Sequence, residues 1–332
     1  MKKLFFLAVA LSAVTAMQAQ TEGLLLEEDF EYEASRPLVS DPVEGMDNLD
    51  PETGWSTAAN SSAAISTFEI VEGNLTYPGY PGGQYGNSLR YNGTAGQGVF
   101  KLFPEGICDD KDVYVAFLMK IENTNEEITG GDFLFGLKME PQADSWNWGG
   151  RIYAKVDPAY PGEEISFGVQ KLADCNIRWV NGSTGPFFPS GQTLLVIMRY
   201  HVGKVYGNSA EEEAGHFDDE ISFYVNPAIA AEPATPDIFL SDANAKDIYR
   251  WGTTRVFGSA RGIYFRSADQ GAIPAYIIDG IRVGRTWADI MGQTQGVEDI
   301  HYIESIHKTI NEDGQIVIHK GARRFSVLGI EL

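Results

Sequence analysis

Short runs of apolar or alternating residues recur along the chain, and Gly, Pro, Asn and Asp separate them. Few segments repeat apolar residues at the helical spacing of about 3.6. Alternation with a period of two is common and marks half-exposed strands, as at Glu220–Tyr224. β-branched and aromatic residues dominate the runs, which is typical of an all-β sandwich. Strands are predicted at 23–32, 64–71, 87–93, 98–103, 112–122, 132–139, 150–156, 164–172, 176–180, 193–203, 219–227, 254–267 and 275–284.

Two of these runs, 113–121 and 193–202, are apolar on both faces, which predicts central strands covered on both sides. The segment 286–291 predicts one helical turn. A polar linker starts at Gly292, and beyond it the chain predicts three short strands with turns at 311–314 and 320–323. So short a segment cannot form a stable core alone, so it must dock on another surface or act as a handle.

The N-terminus predicts export. Lys2 and Lys3 precede an apolar run, Leu4–Ala16, that is too short for a stable membrane anchor, and Ala19 fits a cleavage point. An extracellular or outer-surface location is expected, with the periplasm as the alternative. The predicted organisation is a signal peptide at 1–19, a β-sandwich domain at 22–291, and a linker with a short β-rich segment at 292–332.

The formal net charge of −21 disfavours nucleic acid and anionic lipid as partners, and it favours neutral partners or divalent cations. Two cysteines, Cys108 and Cys175, could form one disulfide in an exported protein or remain separate buried thiols. The sequence leaves that pairing open.

Several segments, taken in order, resemble the concanavalin A-like lectin/glucanase jelly roll. They are 113–123, 130–137, 193–203, 218–227 and 275–290. More narrowly, they resemble a LamG-like version found in secreted proteins of Bacteroidetes-type bacteria, with "EDFEY", a following Gly54-Trp55, "LTYPGY" with "GNSLRYNG", and "IDGIRVGRTWADI". The resemblance spans residues 24–291 and implies an all-β jelly-roll sandwich. That superfamily includes lectins, glycoside hydrolases, polysaccharide lyases and spacers, so the fold does not select a function.

The tail resembles C-terminal segments of proteins that the type IX system exports, on the strength of "GQIVI" and "FSVLG". This resemblance implies that the segment contacts secretion or surface-assembly machinery. A sorting role for it is an expectation of the resemblance alone.

Glu27, Asp29 and Glu31 alternate along one predicted strand. Hydrolases of this fold use such spacing to place a nucleophile and an acid on one side of a strand. These residues belong to the first strand rather than to a mid-chain strand, so a solvated edge is the favoured interpretation.

A jelly-roll lyase needs a Tyr or His base, with basic and amide side chains that neutralise a uronate. The residue types occur at Arg199, Tyr200 and His201 in one run and at Gln170 and Lys171 in another. The motif order expected of such lyases is not present, and one polar face of a sheet explains the same residues.

Calcium is a candidate cofactor because it takes carboxylates and carbonyls from loops. Asp218 and Asp219 are the selected ligands, and a solvated acidic loop is the alternative. Further acidic loop positions that could serve are Asp109, Asp110, Asp112, Asp237 and Asp242.

Aromatic residues give the candidate ligand site. Trp146 and Trp148 are two residues apart and would share a face of an extended chain; with Tyr153 and Tyr160 they could stack on a sugar ring. Packing of a long loop is the alternative. The tyrosines of the Gly- and Pro-rich stretch 73–93 are expected to anchor that loop against the sheet rather than contact a ligand.

These observations predict a non-catalytic extracellular or surface protein that binds a polysaccharide or surface glycan, or that serves as an adhesive or structural part. The alternative is a jelly-roll glycoside hydrolase or polysaccharide lyase.

Overall fold

The computed structural model describes residues 23–39, 50–57, 67–96, 98–107, 110–122, 127–140, 148–156, 159, 165–171, 175–183, 187–203, 219–241, 249–251, 254–256, 259–268, 272–293, 306–310, 316–320 and 323–326. The chain divides into two compact units, Met1–Gln293 and Thr294–Leu332. Within the described part, no helix is long and apolar enough to cross a membrane.

The larger unit is built almost entirely from strands. They are β1 (Leu24–Glu28), β2 (Ser56–Thr57), β3 (Phe68–Val71), β4 (Ser88–Tyr91), β5 (Val99–Ile107), β6 (Lys111–Ile121), β7 (Phe135–Glu140), β8 (Trp148–Val156), β9 (Ile165–Gln170), β10 (Arg178–Trp179), β11 (Leu194–Val202), β12 (Glu220–Val225), β13 (Ile238–Leu240), β14 (Tyr249–Trp251), β15 (Thr254–Val256), β16 (Ser259–Phe265) and β17 (Tyr276–Gly284). One helical turn, α1 (Trp287–Ile290), follows, with Thr286 and Asp289 forming a capping box.

Two antiparallel sheets form the sandwich in the described residues. Sheet A has the order β13-β12-β11-β6-β17-β4-β3, with β1 also paired to β17. Sheet B has the order β10-β9-β8-β7-β16-β5-β2. The chain passes from β5 in sheet B to β6 in sheet A and then returns to sheet B for β7–β10. It continues in sheet A with β11–β13, in sheet B with β16, and in sheet A with β17. The predicted all-β jelly-roll sandwich is confirmed.

The two apolar runs form central strands, as predicted. β6 lies between β11 and β17, and β11 lies between β6 and β12. One face of β6 contributes Val115 and Phe117 to the core between the sheets. The opposite face, with Ala116 and Leu118, packs beneath α1 and the Gly- and Pro-rich stretch 73–93, which we call the tyrosine-rich loop.

Some strand predictions differ in extent from the structure. β1 ends at Glu28 instead of continuing to residue 32, because Phe30 adopts a left-handed φ of 48°. The run 254–267 divides into β15, which pairs with β14, and β16, which belongs to sheet B. In the smaller unit β18 (Ile306–Ile310), β19 (Ile316–Lys320) and β20 (Arg323–Ser326) form an antiparallel sheet.

β17 changes its hydrogen-bonding partner halfway along. Tyr276–Ile278 pairs with β4, whereas the second half, ending at Gly284, pairs with β1. The pairing with β6 is irregular between Asp279 and Arg282, which identifies a β-bulge. The fully buried carboxyl oxygens of Asp279 accept hydrogen bonds from Leu75 N at 2.8 Å and Gly280 N at 2.7 Å, so they satisfy backbone donors at this irregularity.

The tyrosine-rich loop packs against the same bulge. The Tyr80 hydroxyl donates to Gly280 O at 2.7 Å, and both Tyr80 and Tyr91 are buried. Tyr77 packs at the edge of the cluster beneath α1, while Tyr85 is 65% exposed. Most of these tyrosines therefore anchor the loop, as the sequence suggested.

Gly280 provides a stability prediction. It has a φ of +56°, and a Cβ there would lie 2.4 Å from Gly83 N and 2.5 Å from Gly82 C. Backbone atoms cannot rotate away, so Gly280→Ala should lower the free energy of unfolding by about 2–5 kcal/mol. Urea denaturation measures the loss. Gly182→Ala is the matched control, because Gly182 has a φ of +65° but no atom within 4 Å of the added Cβ; an equal loss in both variants would refute the contact argument.

Asp279 provides a pH prediction. Burial raises the pKa of Asp279 from 3.8 to about 8. The folded protein therefore binds this proton more tightly than the unfolded chain does, so the group's stabilising contribution declines as the pH rises from the unfolded towards the folded pKa. Asp279→Asn should show a flatter fall of unfolding free energy over that window, measured by urea denaturation at several pH values.

The control for this experiment is Glu72→Gln, because Glu72 is an exposed carboxylate just upstream of the tyrosine-rich loop. Glu72→Gln should keep the wild-type pH dependence. If Asp279→Asn also kept it, a raised pKa at Asp279 would be ruled out.

Candidate functional site

The outer face of sheet B carries an unusual set of side chains. In β7, Phe135, Leu137 and Met139 pack into the core between the sheets, so Lys138 points to the outer face. Trp148 pairs with Lys138, and Tyr264 lies between Gly136 and Phe100 in neighbouring strands. Register therefore brings aromatic and basic residues together on this face.

A bulge in β8 determines which residues share the face. Strict alternation would place Trp148 on the same side as Ile152, which lies in the core, and opposite to Tyr153. The register between β7 and β8 shifts in this region, and Gly150 adopts a φ of +55°. Trp148 and Tyr153 consequently lie on the same outer face.

Aromatic rings form a packed layer on this face, and we call it the aromatic layer. Trp148 stacks on Tyr264 with ring centroids 3.8 Å apart and an interplanar angle of 13°. Phe133 makes an edge contact with Tyr153 at 6.2 Å. The layer consists of Phe100, Phe133, Trp148, Tyr153 and Tyr264, each 3–5% exposed.

Basic side chains lie over these rings. Lys138 Nζ is 5.0 Å from the Phe100 ring centroid and 5.2 Å from that of Trp148. The guanidinium carbons of Arg151 and Arg266 lie 4.6 Å and 5.0 Å from the Phe133 centroid. Such contacts are favourable because a cation is attracted to the ring face.

The basic set continues towards the edge of the sheet. Lys155 Nζ lies 4.6 Å from the Trp179 ring, and Asp132 pairs with Arg266 at 2.6 Å. Arg151, Lys155 and Arg266 are half-buried, whereas Lys138 is 2% exposed. We call Lys138, Arg151, Lys155 and Arg266 the basic set; it concentrates positive charge in a chain whose net charge is −21.

The tyrosines of the aromatic layer are poor bases at neutral pH. Burial raises the pKa of Tyr153 above its ordinary value, and burial raises the pKa of Tyr264 to about 12. The Tyr153 hydroxyl donates to Gln170 Oε1 at 2.5 Å. Both hydroxyls therefore resist deprotonation at neutral pH.

The four aromatic residues proposed from sequence have different outcomes. Trp148 and Tyr153 belong to the aromatic layer and are buried by their neighbours. Trp146 and Tyr160 lie outside the described residues. Their role in ligand binding stays a prediction.

Sequence reasoning missed most of this site. Phe133, Tyr264 and the whole basic set were not selected. A usable signal was present, since Arg151, Tyr153 and Lys155 alternate along one strand, opposite to the apolar residues Ile152 and Ala154.

The residue types considered for a lyase do not converge. Gln170 lies on the outer face of sheet B, whereas Arg199, Tyr200 and His201 belong to β11 in sheet A. Within β11 the Tyr200 side chain points into the core, and its hydroxyl donates to Asp219 Oδ2 at 2.5 Å. Lys171 is 1% exposed.

Glu27, Asp29 and Glu31 do not line one strand. β1 stops before Asp29 and, among the described strands, pairs with β17 alone. Glu27 forms an ion pair with Arg282, and Asp29 accepts a hydrogen bond from Gly83 N at 2.8 Å. Burial raises the pKa of Asp29. The structure thus gives Glu27 and Asp29 partners that hold the N-terminal segment.

Both carboxylate oxygens of Asp219 already accept hydrogen bonds, from the Tyr200 hydroxyl and from Gly203 N at 2.7 Å. Asp218 lies outside the described residues. No group of three or more His, Cys, Asp or Glu side chains within the described ranges is arranged to hold a metal ion. Calcium binding by Asp218 and Asp219 stays a prediction. Cys108 also lies outside the described residues, so both alternatives, a Cys108–Cys175 disulfide and two separate thiols, stay predictions.

No protein-family model matches the chain, and no curated protein matches its sequence. Its fold is similar to that of the T. cruzi calreticulin globular domain, at 13% identity and a TM-score of 0.42, over 81% of this chain and 90% of that chain. It is also similar to an endo-beta-1,4-glucuronan lyase from the fungus Trichoderma reesei, at 9% identity and a TM-score of 0.40, over 80% of this chain and 97% of that chain.

A third similar structure is the carbohydrate recognition domain of Emp47p, at 9% identity and a TM-score of 0.32, over 74% of this chain and the whole of that chain. Likeness at this level concerns the arrangement of strands. It selects neither a ligand nor an activity for this chain.

Proposed function

We propose that this protein is an extracellular or surface glycan-binding protein, and that the outer face of sheet B binds a polysaccharide bearing carboxylate or sulfate groups. The observation that carries the proposal is the basic set over the aromatic layer. Positive charge is concentrated there although acidic residues outnumber basic ones by 46 to 25 in the chain.

The contacts within the site suit such a ligand. Arg151 and Arg266 each hold a guanidinium against Phe133, so both groups are oriented before any ligand arrives. Guanidinium groups bind planar carboxylates through paired hydrogen bonds. Lys155 and the half-buried Trp179 extend the basic surface along the sheet, which suits a polymer more than a small anion.

Recognition without cleavage is the favoured mode. A lyase of this type would need a base that loses its proton readily, and burial raises the pKa values of Tyr153 and Tyr264 instead. Both rings are also buried within the aromatic layer, where they support the basic side chains above them. Bound polymer should therefore be released intact.

Removal of charge from the basic set should weaken binding. Arg151→Gln with Lys155→Gln deletes two cationic contacts, so affinity for alginate or polyglucuronate should fall at least about tenfold. Isothermal titration calorimetry with the full chain measures this effect. Lys111→Gln with Lys120→Gln makes the same charge change on β6 in sheet A and should leave affinity within about twofold.

The opposite change should strengthen binding. Asp132→Asn removes the carboxylate that pairs with Arg266, and the amide oxygen can still accept the hydrogen bond from Phe133 N. Affinity should rise severalfold, and added salt should weaken binding in both proteins. Unchanged affinity for uronate polymers in Arg151→Gln with Lys155→Gln, or unsaturated sugar ends released during incubation, would refute binding as proposed.

A further inference from the structure

A cleft lies on the outer face of sheet A, whereas the basic set lies on the outer face of sheet B. Its cavity has a volume of about 540 Å³. Phe239 in β13, Ser222 in β12 and Arg199 in β11 are directly paired in register, so their side chains line one face in a row. The segment 232–236 forms the facing wall. We call this the Phe239 cleft.

The wall of the Phe239 cleft is held in place. The Glu232 carboxylate accepts hydrogen bonds from the hydroxyls of Tyr114 and Tyr224, both at 2.8 Å. Pro233 and Pro236 restrict the backbone on either side of Thr235. Because the wall is already ordered, a ligand would bind without a large loss of conformational entropy.

The floor combines an exposed ring with polar groups. Phe239 is 53% exposed, which is unusual for an aromatic residue in a strand of this sandwich. Arg199 lies between two carboxylates, with distances of 3.1 Å to Asp112 and 3.8 Å to Glu232. Its Nε atom is buried and has no hydrogen-bond partner among the described residues.

The local charges select against charged ligands. An anion would meet the carboxylates of Asp112 and Glu232, and a cation would meet the Arg199 guanidinium. A neutral sugar avoids both penalties, because its hydroxyls accept from the guanidinium and donate to the carboxylate. Its C–H face can pack on the Phe239 ring.

We propose that the Phe239 cleft is a second binding site, for an uncharged pyranose unit of a glycan. The ring of Phe239 stacks on the sugar, and Arg199 and Glu232 bind its hydroxyls. This site is independent of the one proposed on sheet B, since the two lie on the outer faces of different sheets.

The test uses the full chain and neutral tetrasaccharides of glucose, mannose, galactose and xylose. Saturation-transfer NMR and calorimetry should detect binding of at least one of them. Phe239→Ala should weaken that binding about five- to tenfold, whereas Phe239→Tyr, which keeps the ring, should bind within about twofold of wild type. Since Phe239 is exposed, neither variant should unfold the protein.

Tyr85→Ala is the matched control, because Tyr85 is 65% exposed and does not line the cleft. It should bind as wild type does. Added salt should leave tetrasaccharide affinity unchanged, in contrast to binding of uronate polymers. Arg151→Gln with Lys155→Gln should retain tetrasaccharide binding, and Phe239→Ala should retain uronate binding, so each site can fail separately. The proposal is overturned if no tetrasaccharide binds, or if Phe239→Ala and Tyr85→Ala have equal effects.

Discussion

β17 must change its hydrogen-bonding partner in the middle of sheet A, and the buried carboxyl group of Asp279 allows it to do so. At the bulge the strand leaves β4 and takes up β1, and the Asp279 oxygens accept Leu75 N and Gly280 N. A buried donor left without an acceptor would cost about 1–3 kcal/mol. The positive φ of Gly280 lets the tyrosine-rich loop approach to backbone contact. One irregularity thus joins the N-terminal strand, the loop and the last strand of the sandwich.

The buried carboxylate of Glu28, the last residue of β1, connects the two sheets. Glu28 accepts hydrogen bonds from Trp55 Nε1 at 2.9 Å and Lys101 Nζ at 2.5 Å, and Lys101 belongs to β5 in sheet B. An unpaired charge at this depth would be strongly destabilising, so the donors must assemble together with β1. In the set that resembles a catalytic one in sequence, Glu27 pairs with Arg282 and Asp29 accepts from Gly83 N, so these two acidic residues also have structural contacts.

The sequence predicted most strands of the sandwich, although not β2, β13 and β14, and it did not predict the site. The reason is physical. Apolar runs identify β6 and β11, because a strand that is buried on both faces consists mainly of apolar residues. The side of the sheet on which Trp148 lies depends on the bulge at Gly150. Gly149 and Gly150 are consecutive in the sequence, which does not show that a bulge forms there. Likewise, Arg199 and Gln170 are both polar residues in strands, and only the assignment of β11 and β9 to different sheets separates them.

The overall charge and the basic set act over different distances. Screening confines the attraction of surface charges to roughly 8–10 Å at physiological salt, so a ligand bound on sheet B responds mainly to Arg151, Lys155 and their neighbours. A long polymer of high charge density, such as nucleic acid, would extend beyond this patch over acidic surface and be repelled there. A glycan with one charge per sugar, or with neutral stretches, places fewer charges outside the patch. Under the proposed function, the acidic residues elsewhere would limit which polyanions bind, while the basic set would provide affinity.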